Sequence, residues 1–399
     1  MSTSSKLSYN HTMYASFIGY VVQAIVNNFV PLLFVTFEES FNISISKITF
    51  LVTFNFGLQL IVDLLSTTFV DRIGYKVSVI IAHFMSALGL ILLTILPNVF
   101  NDAFIGLLIS VMVYAIGGGL LEVLVSPIVE ACPTDNKQTA MSLLHSFYCW
   151  GCVGVVLIST IFFGIFGISN WRILTIVWAI VPILNGLYFS QVPIAKLIDD
   201  DQKTLSFKEL FSNKIFWIML LLMVCSGASE QAVSQWASTF AEKGLGVTKT
   251  IGDLTGPMFF SILMGTSRAI FGKFGDRLDL KKSMCISGIL CVISYLLISL
   301  SPWAVVSLIG CGICGFSVGI MWPGTFSLSS ESIRGGGTMM FALLALAGDV
   351  GCSGGPTFVG LISGLFNDNL KIGILMAIVF PILLILGLLL IKKNINIKD

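Results

Sequence analysis

Residues 69–76 read Phe69-Val70-Asp71-Arg72-Ile73-Gly74-Tyr75-Lys76, and residues 274–281 read Phe274-Gly275-Asp276-Arg277-Leu278-Asp279-Leu280-Lys281. The two stretches share Phe, Asp, Arg and Lys in register, at an offset of 205 residues. Each is a charged island between long apolar runs. An offset close to half of the 399-residue chain marks an internal duplication.

The surroundings of the two islands set the fold class. Hydrophobic residues make up 56% of the chain and charged residues 11%, where soluble domains carry roughly a quarter charged. Mean hydropathy is +0.95. No compact soluble interior can hide that much apolar side chain, so the solvent is largely lipid. A secreted, nucleic-acid-binding or cytosolic enzyme class is excluded on this ground. A spanning helix needs about 20 mostly apolar residues. Twelve runs qualify, near 13–37, 48–70, 75–96, 103–130, 137–166, 172–191, 214–241, 251–272, 282–300, 302–328, 336–366 and 370–391. Pro31, Pro127, Pro182, Pro257, Pro323 and Pro356 fall inside them, which predicts kinked helices in a bundle. Gly-rich stretches such as Gly117-Gly118-Gly119 predict close helix–helix approach.

The predicted architecture is an all-α integral membrane protein, with twelve transmembrane helices in two pseudo-symmetric six-helix bundles. Residues 1–191 form the first bundle, 192–213 a cytoplasmic linker carrying Asp199-Asp200-Asp201, and 214–399 the second bundle. Sixteen of the 22 Lys and Arg residues fall on the side of the termini, five on the other side, and Arg268 within a span. That bias predicts a multi-pass protein of the cell membrane with both termini cytoplasmic. Net charge is +1 with no basic patch, so nucleic acid is not an expected partner. Cys149/Cys152 and Cys311/Cys314 read CxxC but sit inside apolar runs, and are read as packing residues rather than metal ligands. No Walker A pattern is present, so no nucleotide or other cofactor is expected. The expected energy source is a proton gradient. A parallel repeat of six plus six helices suits a transporter whose site lies near the midplane between the halves.

The Asp71-Arg72-x-Gly74-x-Lys76 loop resembles the loop motif of the major facilitator superfamily, and span count, loop position and repeat extend the resemblance over the whole chain. Thr67 stands where a Gly is common and Tyr75 where a second basic residue is common. The second copy keeps Gly272 but has Asp279 in place of the later Gly. Three further stretches resemble the fucose-permease-like branch: Glu122-Val123-Leu124-Val125-Ser126-Pro127, Leu143-Leu144-His145-Ser146-Phe147 and Ala347-Gly348-Asp349-Val350-Gly351-Cys352. That branch tends to carry a carboxylate in the first helix; here the amides Asn27 and Asn28 stand near that place. The resemblance implies a sugar:proton symporter, a monomer working by alternating access.

The residues themselves point to a site. Asp63, Glu122, Glu230, Arg268 and Asp349 lie well inside spans. A charge at the bilayer centre costs about 2.5–3.5 kcal/mol, so five facing lipid would cost on the order of 15 kcal/mol. They therefore face the bundle interior, either as packing ion pairs or as functional groups. Asn55, Gln59 and Asp63 recur every four residues and share a face of the second helix. Glu122, Ser126 and Glu130 do the same on the fourth, Gln23 and Asn27 on the first, and Gln231 and Gln235 on the seventh beside Glu230 and Trp236. Amides and carboxylates with aromatic neighbours suit a polyhydroxylated ligand, with Trp236, Trp322, Trp150 and Tyr148 as candidates to cover a sugar face. Packing or an interface position remains open for each Trp. His145 is a candidate cavity residue, whereas His83 reads as packing.

Glu122 is the first choice for proton coupling, with Asp63, Asp349 and Glu230 behind it. A carboxyl in a dry site can hold a proton at neutral pH and release it when water arrives. Arg268 occupies the repeat position of Asp63 and is expected to pair with Asp63 or Asp349 in one conformation. Asp71, Arg72, Asp276 and Arg277 are expected to latch the cytoplasmic side. The predicted function is symport of a small polar solute, a sugar in first place, with protons. Alternatives are a proton-coupled efflux pump for amphipathic compounds and a transport-dead nutrient sensor. An enzyme is not expected: no HExxH or Ser/His/Asp spacing is present.

Overall fold

The computed structural model describes residues 7–134, 137–195, 205–274, 279–333 and 335–391. It is all-helical over these residues. The first half contains α1 (Tyr9–Phe41), α2 (Ile45–Ile73), α3 (Tyr75–Val99), α4 (Ala103–Ala131), α5 (Lys137–Phe166) and α6 (Trp171–Gln191). The second contains α7 (Lys214–Gly244), α8 (Lys249–Asp253, Leu254–Met258 and Phe259–Phe274), α9 (Leu280–Leu300), α10 (Ala304–Ser332), α11 (Gly337–Leu365) and α12 (Leu370–Leu390). Eleven of the twelve satisfy length and apolarity for a membrane span among the described residues. The exception is α8, whose π-helical turn at Leu254–Met258 carries Pro257 and whose ends carry Lys249, Asp253 and Arg268. It runs through the bundle all the same, which gives the twelve-helix architecture expected from the apolar runs.

The first charged island makes a sharp corner between α2 and α3. Gly74 adopts φ +85°, and its N–H closes the end of α2 on the Val70 carbonyl; a side chain is strained in that conformation. The second island uses a different device. Asp279, which replaces the glycine, has φ −68° and caps α9 through the Lys282 N–H. Its preceding residues 275–278, with Asp276 and Arg277, lie outside the described residues, as does the side chain of Asp71. Arg72 is exposed in the last turn of α2.

The middle of the linker, 196–204, is also outside the description. After it, Leu205 donates to the Gly335 carbonyl, and a short helix Phe207–Ser212 follows. Ser206 donates to Glu209 from both its N–H and its hydroxyl. These bonds hold the exposed Glu209 carboxyl below the usual carboxylate range.

Small residues set the helix spacing. A Cβ on Gly351 would meet the Val224 carbonyl oxygen, and one on Gly355 the Ala228 backbone, so α7 and α11 touch main chain to main chain. Gly119 of α4 lies against the Gln59 main chain of α2 in the same way, and Gly118 against the Val26 and Gln59 side chains. The two halves meet along α2–α11 and α5–α8. Thr53 and Thr357 share a hydroxyl bond of 2.6 Å, and Ser353 donates to the Thr53 carbonyl. Two helices are interrupted at pseudo-equivalent places. In α1 a 3-10 turn occupies Val30–Leu33, with Pro31 in it, and in α7 the helix pauses at Gln235–Trp236. Pro127, Pro182 and Pro356 sit in unbroken helix instead.

Candidate functional site

Four helices of the first half converge on one polar zone. The predicted face of α2 is real: Asn55 and Gln59 are buried, and both reach the Asn27 side-chain oxygen of α1, Gln59 at 2.9 Å and Asn55 at 3.4 Å. Gln59 also donates to Asn55 at 3.1 Å. One turn earlier on α1, Gln23 donates to Glu122 of α4 at 2.8 Å. Tyr20 shares a hydroxyl bond of 2.8 Å with Ser126, the next-turn neighbour of Glu122. The His145 and Tyr148 rings of α5 lie 5.4 and 6.4 Å from the Tyr20 ring, which places His145 in the zone. Asn28 points to α5, donating to Cys152 Sγ at 3.2 Å and reaching the Tyr148 hydroxyl at 3.5 Å.

The second half answers with a chain of side chains. Gln235 donates to Gln231 at 3.0 Å, Gln231 to Glu230 at 3.3 Å, and Arg268 of α8 closes on Glu230 at 3.2 Å. Gln235 also crosses to the Asn27 main-chain carbonyl at 3.2 Å, and Arg268 crosses to Cys149 Sγ at 3.2 Å. One hydrogen-bonded path therefore runs from Gln59 through Asn27 and Gln235 to Glu230, Arg268 and Cys149, through both halves.

Three carboxyl groups lie beside this path. The ligand oxygens of Asp63, Glu122 and Asp349 lie within 4.8 Å of one another. At an effective dielectric of about 20, two unit charges at that separation repel by roughly 3–4 kcal/mol. Three ionised carboxylates at this spacing would repel one another, so the cluster is suited to hold a proton or another cation. Asp63 and Asp349 come from opposite halves, with carboxyl oxygens within 4.8 Å of each other. Asp63 Oδ1 is buried without a donor among the described residues.

The structure corrects several expectations. Arg268 pairs with Glu230 here, and with neither Asp63 nor Asp349. A third contact, from Nε to the Gly319 carbonyl at the interruption of α10, fixes the guanidinium toward α7. Trp236 is fully buried, donates to the Pro356 carbonyl and packs on Phe34; it is structural and has no face to offer a ligand. Trp150 is 55% exposed, away from the polar zone. Trp322 remains a candidate, because a Cβ on Gly348, next to Asp349, would collide with its ring. His83 is a packing residue as read: Nδ1 meets the Val79 carbonyl and Nε2 meets the Asn185 amide. Sequence reading passed over Asp253, which is 1% exposed inside the eighth run. Its signal was a charge in an apolar run, the same signal that singled out Asp63.

The comparisons agree with this geometry. The Escherichia coli fucose:proton symporter has 16% identity and a TM-score of 0.66, covering 97% of this chain and 100% of that one. A D-xylose–proton symporter has 16% identity and a TM-score of 0.77, covering 96% of each chain. A bacterial homologue of the human lysosomal transporter Spinster, inward-facing and unoccupied, has 15% identity and a TM-score of 0.74, covering 97% of each chain. No curated protein matches the chain in sequence. At these identities the likeness speaks for the fold. The family model described as Major Facilitator Superfamily matches residues 15–356. With its twelve helices, its duplicated loop and its interior polar zone, the chain belongs to the Major Facilitator Superfamily of membrane transporters.

Proposed function

We propose that this transporter moves a small polar solute, a sugar, together with protons by alternating access. The observation that carries the reading is the juxtaposition of the Asp63–Glu122–Asp349 cluster with an amide-lined path through both halves. Amides donate and accept at once, which suits hydroxyl groups. Gln23 ties the amide set to Glu122. Glu122, partly exposed and bonded to Gln23, is the group through which solute and proton sense each other. Asp63 and Asp349 share a second proton across the interface. Moving one charge through 100 mV is worth about 2.3 kcal/mol, enough for roughly 50-fold accumulation. The sugar:proton titles of two fold neighbours support the same class. Both termini are cytoplasmic in this reading, the membrane is the cell membrane, and the chain acts as a monomer.

The test is external pH in proteoliposomes of purified protein while a panel of sugars is added. Alkalinisation on one sugar, abolished by Glu122→Gln, is the expected result. Absence of any response, with proton-linked movement of a lipophilic cation instead, would sink sugar symport and favour efflux. The acidic cluster also fits coupling to sodium. A sugar uptake that follows external Na⁺ and ignores pH would decide for that.

A further inference from the structure

Lys249, at the start of α8, is poorly placed for helix stability. A cation at a helix N-terminus opposes the helix dipole, and Lys preceding Asp by four residues is the less favourable order. Its surroundings give it another use. Its ammonium group lies 3.1 Å from Asp253 and 2.6 Å from the Leu32 main-chain oxygen in the opposite half. Asp253 is 1% exposed and is held by the Ser238 hydroxyl of α7.

The acceptor explains the arrangement. Pro31 has no N–H, so the Asn27 carbonyl, four residues earlier, lacks its helical donor. Helix resumes with Leu33 as N-cap, so Leu33 provides the first acceptor of the new ladder and Leu32 lies before it. The interruption of α1 thus presents two main-chain carbonyls to the other half. Gln235 takes Asn27 and Lys249 takes Leu32. Lys243 adds a half-exposed pair with Glu38, beyond the break.

We propose that this break is a latch, and that Gln235 and Lys249 hold the face opposite the termini closed by capturing the carbonyls that the break leaves without helical donors. With that face shut, the two carbonyls are buried and depend on these donors. With it open, water replaces the donors. The latch thus weights the conformational equilibrium through main-chain contacts between the halves.

The readout is access, which does not depend on what is transported. Val30 is 4% exposed and lines a small cavity under the latch, with Asn27, Pro31, Phe34 and Gln235. Val30→Cys in the otherwise native chain is labelled in intact cells with a membrane-impermeant maleimide, the parent chain giving the background. Adding Lys249→Met is expected to speed labelling at least tenfold, and Gln235→Leu at least threefold. Lys47→Met is the control. It removes a lysine that pairs with Asp102 inside one half, and should leave the rate unchanged. The proposal is overturned if neither Lys249→Met nor Gln235→Leu accelerates labelling in protein that elutes as a single species, or if Lys47→Met accelerates it equally. A failure of sugar symport would leave these rates as expected, so the two ideas fail separately.

Discussion

Arg268 has three partners that no spacing rule connects: Glu230 on α7, Cys149 in the other half, and the Gly319 carbonyl where α10 is interrupted. The equal repeat positions of Asp63 and Arg268 suggested a pair, yet pseudo-symmetry places two residues at like depths on different helices and does not aim them at each other. The Glu230 and Arg268 side chains are 9% and 17% exposed. Removing one member of such a pair leaves the other uncompensated, a loss of about 3–5 kcal/mol, while removing both is much milder. Arg268→Met should therefore lower the melting temperature of the detergent-purified protein sharply, and Glu230→Gln with Arg268→Met should recover most of it. Exchanging the charges, Glu230→Arg with Arg268→Glu, should retain more folded protein than exchanging Asp63 and Arg268. Equal melting of the two exchanged proteins would remove the special standing of the Glu230 pair.

At the scale of elements, the apolar runs are legible because lipid forces each span to satisfy its backbone internally, and only a helix does so within one segment. The polar faces of α1, α2 and α7 are legible for a related reason: an amide in lipid is costly, so its period reveals the interior side. The interruptions are less legible. Pro31 and Pro257 break or bulge their helices, yet Pro127, Pro182 and Pro356 do not, because neighbouring helices decide whether freed groups find partners. The close crossing of α7 and α11 was also hidden, since glycines Gly351 and Gly354 look alike in sequence. In the structure a Cβ at Gly351 would strike the Val224 carbonyl, whereas nothing lies within 4 Å of one at Gly354. Gly351→Ala should cost about 1–3 kcal/mol by overpacking, and Gly354→Ala should gain up to about 1 kcal/mol of helix propensity. Melting curves of the two variants test this, and equal shifts would refute the main-chain contact.

At the scale of the molecule, the two halves touch along α2–α11 and α5–α8, and the named contacts along α2–α11 have a direction. Thr49 and Thr53 sit in the part of α2 remote from the charged corner, and their partners Ser353, Thr357 and Gly360 sit in the remote part of α11. The α1 latch lies at that same end. Toward the corner the contact reaches Asp63 and Asp349, whose carboxyl oxygens lie within 4.8 Å of each other. The closed remote end and this approach of carboxyl groups across the interface are thus features of one arrangement, and opening the remote end must part Thr53 from Thr357. Their hydroxyl oxygens are 2.6 Å apart, which brings the two Cβ atoms near the roughly 3.5–4.5 Å separation that a disulfide spans. Thr53→Cys with Thr357→Cys should therefore cross-link on mild oxidation and stop transport, with full recovery on reduction, while each single variant keeps its activity under the same oxidant. The cross-linked protein should also protect Val30→Cys from maleimide added on the face opposite the termini. Unimpaired transport by cross-linked protein would mean that this contact survives the whole cycle, and that the halves part somewhere other than along α2 and α11.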